Sequence, residues 1–174
     1  VKSTDSLNFS VVSFDDSSIR KVEFNGTNMT RIGESNSYFV INRTSDFNCI
    51  GDKLCTFVVV TYDYADNNNT INITLEVDDA SPEVGAIETD DGDGIVKSSD
   101  EINFTVNVSD THNVSVYLNG TEMTKVGSTD EYYTVNRTRD FGCEGDMDCI
   151  LYVEAIDILG NVNDTTSITL EVDD

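Results

Sequence analysis

The stretch VKSTDSLNFSV, Val1–Val11, returns almost unchanged as VKSSDEINFTV, Val96–Val106. ITLEVDD at Ile73–Asp79 likewise returns at Ile168–Asp174. Both matches lie 95 residues apart, and between them the register slips by one residue and recovers. NGTNMTRIG pairs with NGTEMTKVG, YFVINRTSDFNCIGDKLC with YYTVNRTRDFGCEGDMDC, and VTYDYADN with EAIDILGN. One unit is therefore written twice, and self-similarity at a fixed period decides the architecture before any local reading. Inside the repeat, EINFTVNVS (Glu101–Ser109) sets Ile102, Phe104, Val106 and Val108 on one face and Asn103, Thr105 and Asn107 on the other. That period of two is the mark of a half-buried strand. It recurs at Lys21–Phe24, Tyr38–Asn42, Ile71–Val77 and Val114–Leu118, where β-branched and aromatic residues dominate. Asn25-Gly26 and Asn119-Gly120 are strong two-residue hairpin cues. The expectation is an all-β chain of two tandem immunoglobulin-like antiparallel sandwiches.

The composition narrows the partners. The 33 acidic residues against 10 basic ones give a formal charge of −23, which repels nucleic acid and anionic membrane surfaces. No run approaches the roughly 18 apolar residues of a membrane helix. VKSTDSLNFS holds no signal-peptide core, so the chain reads as a mature or excised segment without direct membrane insertion. Catalysis has little to build on. His112 is the one histidine, and an abundance of carboxylates on strand exteriors and linkers indicates no converging cleft. A non-enzymatic role is expected.

Cysteines and asparagines point to the outside of the cell. Cys49 with Cys55 and Cys143 with Cys149 form two C-x5-C pairs at matching places, each with Gly-Asp inside the loop. A zinc site needs four ligands where each loop offers two, so a local disulfide per repeat is preferred, and disulfides persist in oxidising compartments. Asn-X-Ser/Thr sequons begin at Asn8, Asn25, Asn28, Asn42, Asn68, Asn72, Asn103, Asn107, Asn113, Asn119, Asn136 and Asn163. That is 12 of 17 asparagines, where 35 Ser and Thr in 174 residues give about three by chance, and dense N-linked glycosylation is the reading.

The acidic stretch TDDGDGIVKSSD, Thr89–Asp100, fits the spacing of a twelve-position calcium loop. Thr89 takes position 1, Asp91 position 3, Asp93 position 5, Gly94 the glycine at 6, Ile95 the backbone ligand at 7 and Asp100 position 12. Hard oxygen ligands select calcium. Asp90, Glu88 and the Asp78-Asp79 pair are further oxygen donors, and a solvated linker is the alternative. The subpattern with Val96 at 8 and Ser98 at 10 is similar to the calcium loops of dockerins. Thr89 at position 1, Lys97 at 9 and the shorter Asp100 at 12 depart from it. Calcium here implies a stiffened junction between sandwiches.

VEAIDILGNVNDTTSITLEVDD, Val153–Asp174, resembles the last two strands of the Ig-like repeats found in tandem on bacterial and archaeal surface proteins, where a strand ends in A-x-D-x-x-G-N. VDDASPEV, Val77–Val84, is similar to their interdomain junctions. Ala65-Asp66-Asn67 departs from the pattern where Leu159-Gly160-Asn161 keeps it. The resemblance implies a spacer, adhesin or coat role on a cell surface.

The repeat organises the chain into residues 1–79 as the first repeat, 80–95 as an acidic linker holding the first strand (Glu83–Glu88) and calcium loop of the second, and 96–174 as the second repeat. The first repeat starts at VKSTD without that strand. The segment is then a window on a longer array, or a neighbouring subunit supplies the strand, with a self-sufficient two-domain monomer as the alternative. The preferred reading is a structural subunit of an extracellular glycosylated filament or surface coat, with copies of itself as partners. An adhesin or spacer module of a larger secreted protein is the alternative. Tyr62, Tyr64, Tyr132 and Tyr133 are the aromatics such a module has available for a ligand, with packing as the competing use.

Overall fold

A computed structural model describes residues 1–16 and 18–174. It divides the chain into two compact units, Val1–Ala80 and Ser81–Asp174. The described residues are all-β apart from two short 3₁₀ turns, at Thr44–Phe47 and Thr138–Phe141.

The first unit runs β1 (Leu7–Val12), β2 (Ile19–Phe24), β3 (Thr27–Asn28), β4 (Thr30–Arg31), β5 (Ser37–Asn42), β6 (Lys53–Asp63) and β7 (Asn68–Val77). The second runs β8 (Glu83–Thr89), β9 (Ile95–Val96), β10 (Ile102–Ser109), β11 (Val114–Leu118), β12 (Thr121–Glu122), β13 (Thr124–Lys125), β14 (Glu131–Asn136), β15 (Met147–Asp157) and β16 (Val162–Val172). In the second unit the sheets order as β8-β10-β14-β13 and β9-β16-β15-β11-β12. Counted along the chain this is the A-B-E-D and G-F-C arrangement of an immunoglobulin-like sandwich. β9 adds a parallel edge to the last strand, Ile95 opposite Glu171 and Val96 opposite Val172. In the first unit the orders are β1-β5-β4 and β3-β2-β6-β7. Among the described residues the partner that β8 provides for β10 has no counterpart, so β1 is a sheet edge.

The alternation seen in the sequence is what each unit buries. Ile102, Phe104, Val106 and Val108 face inward from β10, and Val116, Leu118, Leu151 and Val153 face them from the other sheet. In the first unit three of these positions are phenylalanines that pack together, Phe9, Phe24 and Phe57. Phe9 stacks on Phe24 with ring centroids 4.2 Å apart, and Phe57 lies 5.4 Å from Phe24. The repeat replaces Phe24 by Leu118 and Phe57 by Leu151, both fully buried. Burying each such side chain contributes about 1.5–3 kcal/mol.

Local signals fix the turns. Asn25 and Gly26 have φ of 47° and 81°, Asn119 and Gly120 of 44° and 81°. Positive φ at both central residues makes the tight hairpin whose twist matches its strands. Each asparagine also accepts a cross-strand N–H through Oδ1, Asn25 from Val58 at 2.9 Å and Asn119 from Tyr152 at 2.8 Å. Each 3₁₀ turn opens with a carboxylate reaching back: Asp46 accepts the Arg43 N–H at 2.8 Å and Asp140 that of Arg137 at 3.0 Å. Thr44 and Thr138 are thereby held fully buried.

Candidate functional site

The cysteines pair locally, Cys49 with Cys55 and Cys143 with Cys149, with Cα atoms 6.2 and 5.7 Å apart. All four are buried. Each bridge closes the loop that carries Gly-Asp, and that loop holds the exit of the unit's last strand. In the first unit Asp79 accepts the Ser3 N–H through Oδ1 at 2.8 Å and the Gly51 N–H through Oδ2 at 2.7 Å. Asp52 reciprocates by accepting the Asp79 and Ala80 N–H groups, both at 2.9 Å. The second unit repeats the set: Asp174 accepts Ser98 N–H at 2.8 Å and Gly145 N–H at 2.9 Å, and Asp146 accepts Asp174 N–H at 3.3 Å. One carboxylate thus ties together strand exit, disulfide loop and the start of the unit.

These bonds favour the charged form. The Ser3 N–H, opposed by burial and joined by the Gly51 N–H, holds the Asp79 carboxyl below its ordinary 3.8. The Ser98 hydroxyl, then the Gly145 N–H, do the same for Asp174. Sequence reasoning did not find this clamp. The signal was present as the aspartate pair ending both ITLEVDD segments and the Gly-Asp inside both cysteine loops.

A second repeated lock sits at the turn after β6 and β15. Asp157 accepts the Leu159 and Asn161 N–H groups on Oδ1, both at 2.8 Å, and the Asn161 side-chain amide on Oδ2 at 2.8 Å. Burial pushes this carboxyl up, yet the Asn161 backbone and side chain with the Leu159 and Gly160 N–H groups bring it below 3.8. Asp63 makes the same three bonds with Ala65 and Asn67 at 2.7–2.8 Å. The departure seen in the sequence leaves the turn intact, because Asp66 takes the left-handed conformation, φ 63°, that Gly160 takes at 79°.

The acidic stretch Thr89–Asp100 folds as two turns flanking β9. The Thr89 hydroxyl donates to the Asp91 carbonyl at 3.0 Å, and Asp91 Oδ2 accepts the Gly94 N–H at 2.7 Å. Asp93 Oδ1 accepts the Ile95 N–H at 3.1 Å, and Asp100 Oδ2 the Lys97 N–H at 3.2 Å. Asp90 is tied to β10, accepting the Asn103 N–H at 2.8 Å. Donor chemistry suits calcium, since every side chain offered is hard oxygen. Asp91, Asp93 and Asp100 do not gather their carboxylates within 4.8 Å of one another. They are spread along the loop, and Ile95 is held in the sheet against Glu171.

None of the sequon asparagines is buried. Asn8, Asn25, Asn28, Asn68, Asn72, Asn107, Asn113 and Asn119 are exposed, and Asn42, Asn103, Asn136 and Asn163 are half-buried. Asn25 and Asn119 make their anchoring bonds through Oδ1, so those bonds do not use the nitrogen to which a glycan attaches. At Asn136 and Asn163 that nitrogen donates, to the Thr134 hydroxyl at 2.8 Å and to the Pro82 carbonyl at 2.9 Å. Of the tyrosines, Tyr132 is core, while Tyr62 lies under Lys21, whose Nζ is 4.4 Å from the ring centroid. Tyr64 and Tyr133 are exposed. His112 sits in a bend, its N–H donating to Asp110 at 2.7 Å.

No family model matches the chain, and no curated protein matches its sequence. Among solved structures, the chain is similar to a calcium-stabilised adhesin with which an Antarctic bacterium binds ice: TM-score 0.54, 18% identity, 98% of this chain and 45% of that one. A second similar structure belongs to a 1.5-MDa bacterial ice-binding adhesin, with TM-score 0.47 and 19% identity over 97% of this chain and 57% of that one. The chain spans about half the length of these structures, and at such identity the likeness is one of fold. The first of these comparisons supports an all-β fold for the chain and nothing finer.

Proposed function

We propose that this chain is a pair of spacer modules from an extracellular, adhesin-type surface protein, with N-linked glycans on its exposed faces. The observation that carries the reading is the repetition of one mechanical design. Each unit closes its last strand with a disulfide loop and an aspartate clamp, so tension entering at the strand exit meets a covalent link and several charge-assisted hydrogen bonds. Nothing in such a design needs a pocket. The likeness to a surface adhesin supports the same placement outside the cell. Glycopeptide mapping and immunogold labelling of native material test it: occupied sequons and surface label on a longer polypeptide are expected. Unglycosylated cytoplasmic protein overturns it.

The filament or coat subunit, built from copies of this chain, is the second reading. It is favoured by the uncovered edge of β1, which invites pairing. Electron microscopy of the native glycosylated material separates the two, ordered fibres or sheets of this chain alone supporting the subunit.

Calcium is a further part of the proposal and rests on the spacing of Thr89, Asp91, Asp93, Ile95 and Asp100. Binding must bring the carboxylates of Asp91, Asp93 and Asp100 together and stiffen the loop. Millimolar calcium is expected to raise the melting temperature of the parent, and not that of an Asp91→Ala/Asp93→Ala variant. Equal responses reject a site at this loop.

A further inference from the structure

We infer that the first unit carries a strand-accepting groove along β1, filled in the working protein by an extra β-strand of the Glu83–Thr89 type supplied by polypeptide joined in front of Val1. This stands apart from the spacer reading, since a groove of this kind serves a spacer and a polymer subunit equally.

The second unit displays the filled form. There β8 pairs antiparallel with β10, Ile87 opposite Val106 and, past a bulge, Val84 opposite Val108. Ile87 is buried in the core, and Val84 packs against it. The strand passes so close to β10 that a side chain at Gly85 would meet the Asn107 carbonyl oxygen at 3.2 Å. β8 also lies against β16, closing the gap between the two sheets.

The first unit has the same walls without the strand. A groove of about 350 Å³ opens there, lined by Leu7, Phe9 and Val11 of β1 and by Ile71, Ile73 and Leu75 of β7. The positions that β8 seals are the ones left open. Ile102, Val106 and Leu170 are 1–2% exposed in the second unit, whereas their equivalents Leu7, Val11 and Leu75 are only half-buried. Ile71 and Ile73 are 53% and 41% exposed. A row of large aliphatics on both lips of a sheet gap is what a core looks like when one strand is missing.

The backbone agrees. In the second unit the Asn103 carbonyl accepts the Asp90 N–H at 3.2 Å on the side facing β8. By the period of two, Asn8, Ser10 and Val12 turn their N–H and C=O groups to the same side of β1. β1 is the last strand of its sheet on that side. Main-chain pairing plus an apolar side chain dropped into a gap is the physics of strand addition.

The occupant and its route are read from the same repeat. Residues 90–95 lead from the end of β8 to Val96, which pairs with Val172. Val1 stands at the equivalent place, its carbonyl accepting the Asp78 N–H at 3.0 Å, as the Val96 carbonyl accepts that of Asp173 at 3.0 Å. Polypeptide joined in front of Val1 therefore enters at the mouth of the groove. Its strand needs a valine and an isoleucine three apart, as at Val84 and Ile87, to meet Ser13 and Val11.

The test joins a copy of residues 81–95 in front of Val1 of the whole chain and compares it with the unextended chain. Amide exchange at Ser10 and Val12 is expected to slow by roughly tenfold or more, with a rise in the melting temperature of the first unit. An extension carrying aspartate at the place of Ile87 should give neither effect. Unchanged exchange and melting with the native extension overturn the proposal. So does an unextended chain that is a stable dimer by light scattering with β1 already protected, because a second copy would then be the occupant.

Discussion

At the scale of single residues, the repeat provides paired experiments in which one unit is the control for the other. Asp66 holds a left-handed conformation that costs an L-residue about 1 kcal/mol, less for aspartate than for most, while Gly160 holds it freely. Its carboxylate recovers part of that through an ion pair with Arg20 on the surface. Surface pairs contribute little, so Asp66→Gly should stabilise the first unit by about 0.5 kcal/mol in urea melts, and Gly160→Asp should destabilise the second. Asp79 tests the clamp. Asp79→Ala removes two accepted N–H bonds and should cost on the order of 1–2 kcal/mol, several degrees of melting temperature in a unit of this size. Its folded carboxyl titrates below the ordinary 3.8, so the native state favours the charged form. The charge-dependent part of the stabilisation is complete above that ordinary value. It disappears as pH falls through the lower folded value, where both states are protonated. Melting temperatures of parent and Asp79→Asn should differ at neutral pH and draw closer in acid.

At the scale of elements, the features legible in the sequence are those that short-range pattern dictates. Alternation at Ile102–Val108 set the buried face of β10, Asn-Gly set two hairpins, and the spacing of the cysteines set two local bridges. Less legible was anything made by residues far apart. Asp79 meets Ser3 and Gly51 only because β7 ends beside both, and no local pattern announces a carboxylate whose partners are backbone N–H groups 76 and 28 residues away. The acidic loop shows the opposite limit. Its spacing matches a calcium loop; the short strand β9 runs through its middle, and the carboxylates of Asp91, Asp93 and Asp100 are not gathered within 4.8 Å of one another. Parallel pairing with β16 comes from tertiary context that the twelve-residue window does not contain. The bridges can be weighed against the clamps at this scale. Closing a seven-residue loop is worth about 2 kcal/mol in the chain-entropy model. Cys143→Ala/Cys149→Ala should lower the stability of the second unit by that order in denaturant titrations. The added loss from Asp174→Ala should be smaller in that background than in the parent, because both act on one loop.

At the scale of the whole molecule, the two units differ in how completely the same plan is carried out. Among the described residues, the second core has 17 buried apolar side chains and the first has 10, and none belongs to both. Cores that share no member melt as separate cooperative transitions. The first unit, lacking a strand over its groove, should melt at the lower temperature. One pair of equivalent leucines makes this quantitative. Leu170 is 1% exposed beneath β8, so Leu170→Ala should cost about 2–5 kcal/mol. Leu75 lines the open groove, where water already reaches its side chain. Leu75→Ala should cost roughly half as much, since less apolar area is returned to solvent. Calorimetry of the whole chain reads both: Leu75→Ala should move only the lower transition and Leu170→Ala only the upper. A single transition moved by either substitution would mean that the two units fold as one, and that the open groove of the first does not set its stability.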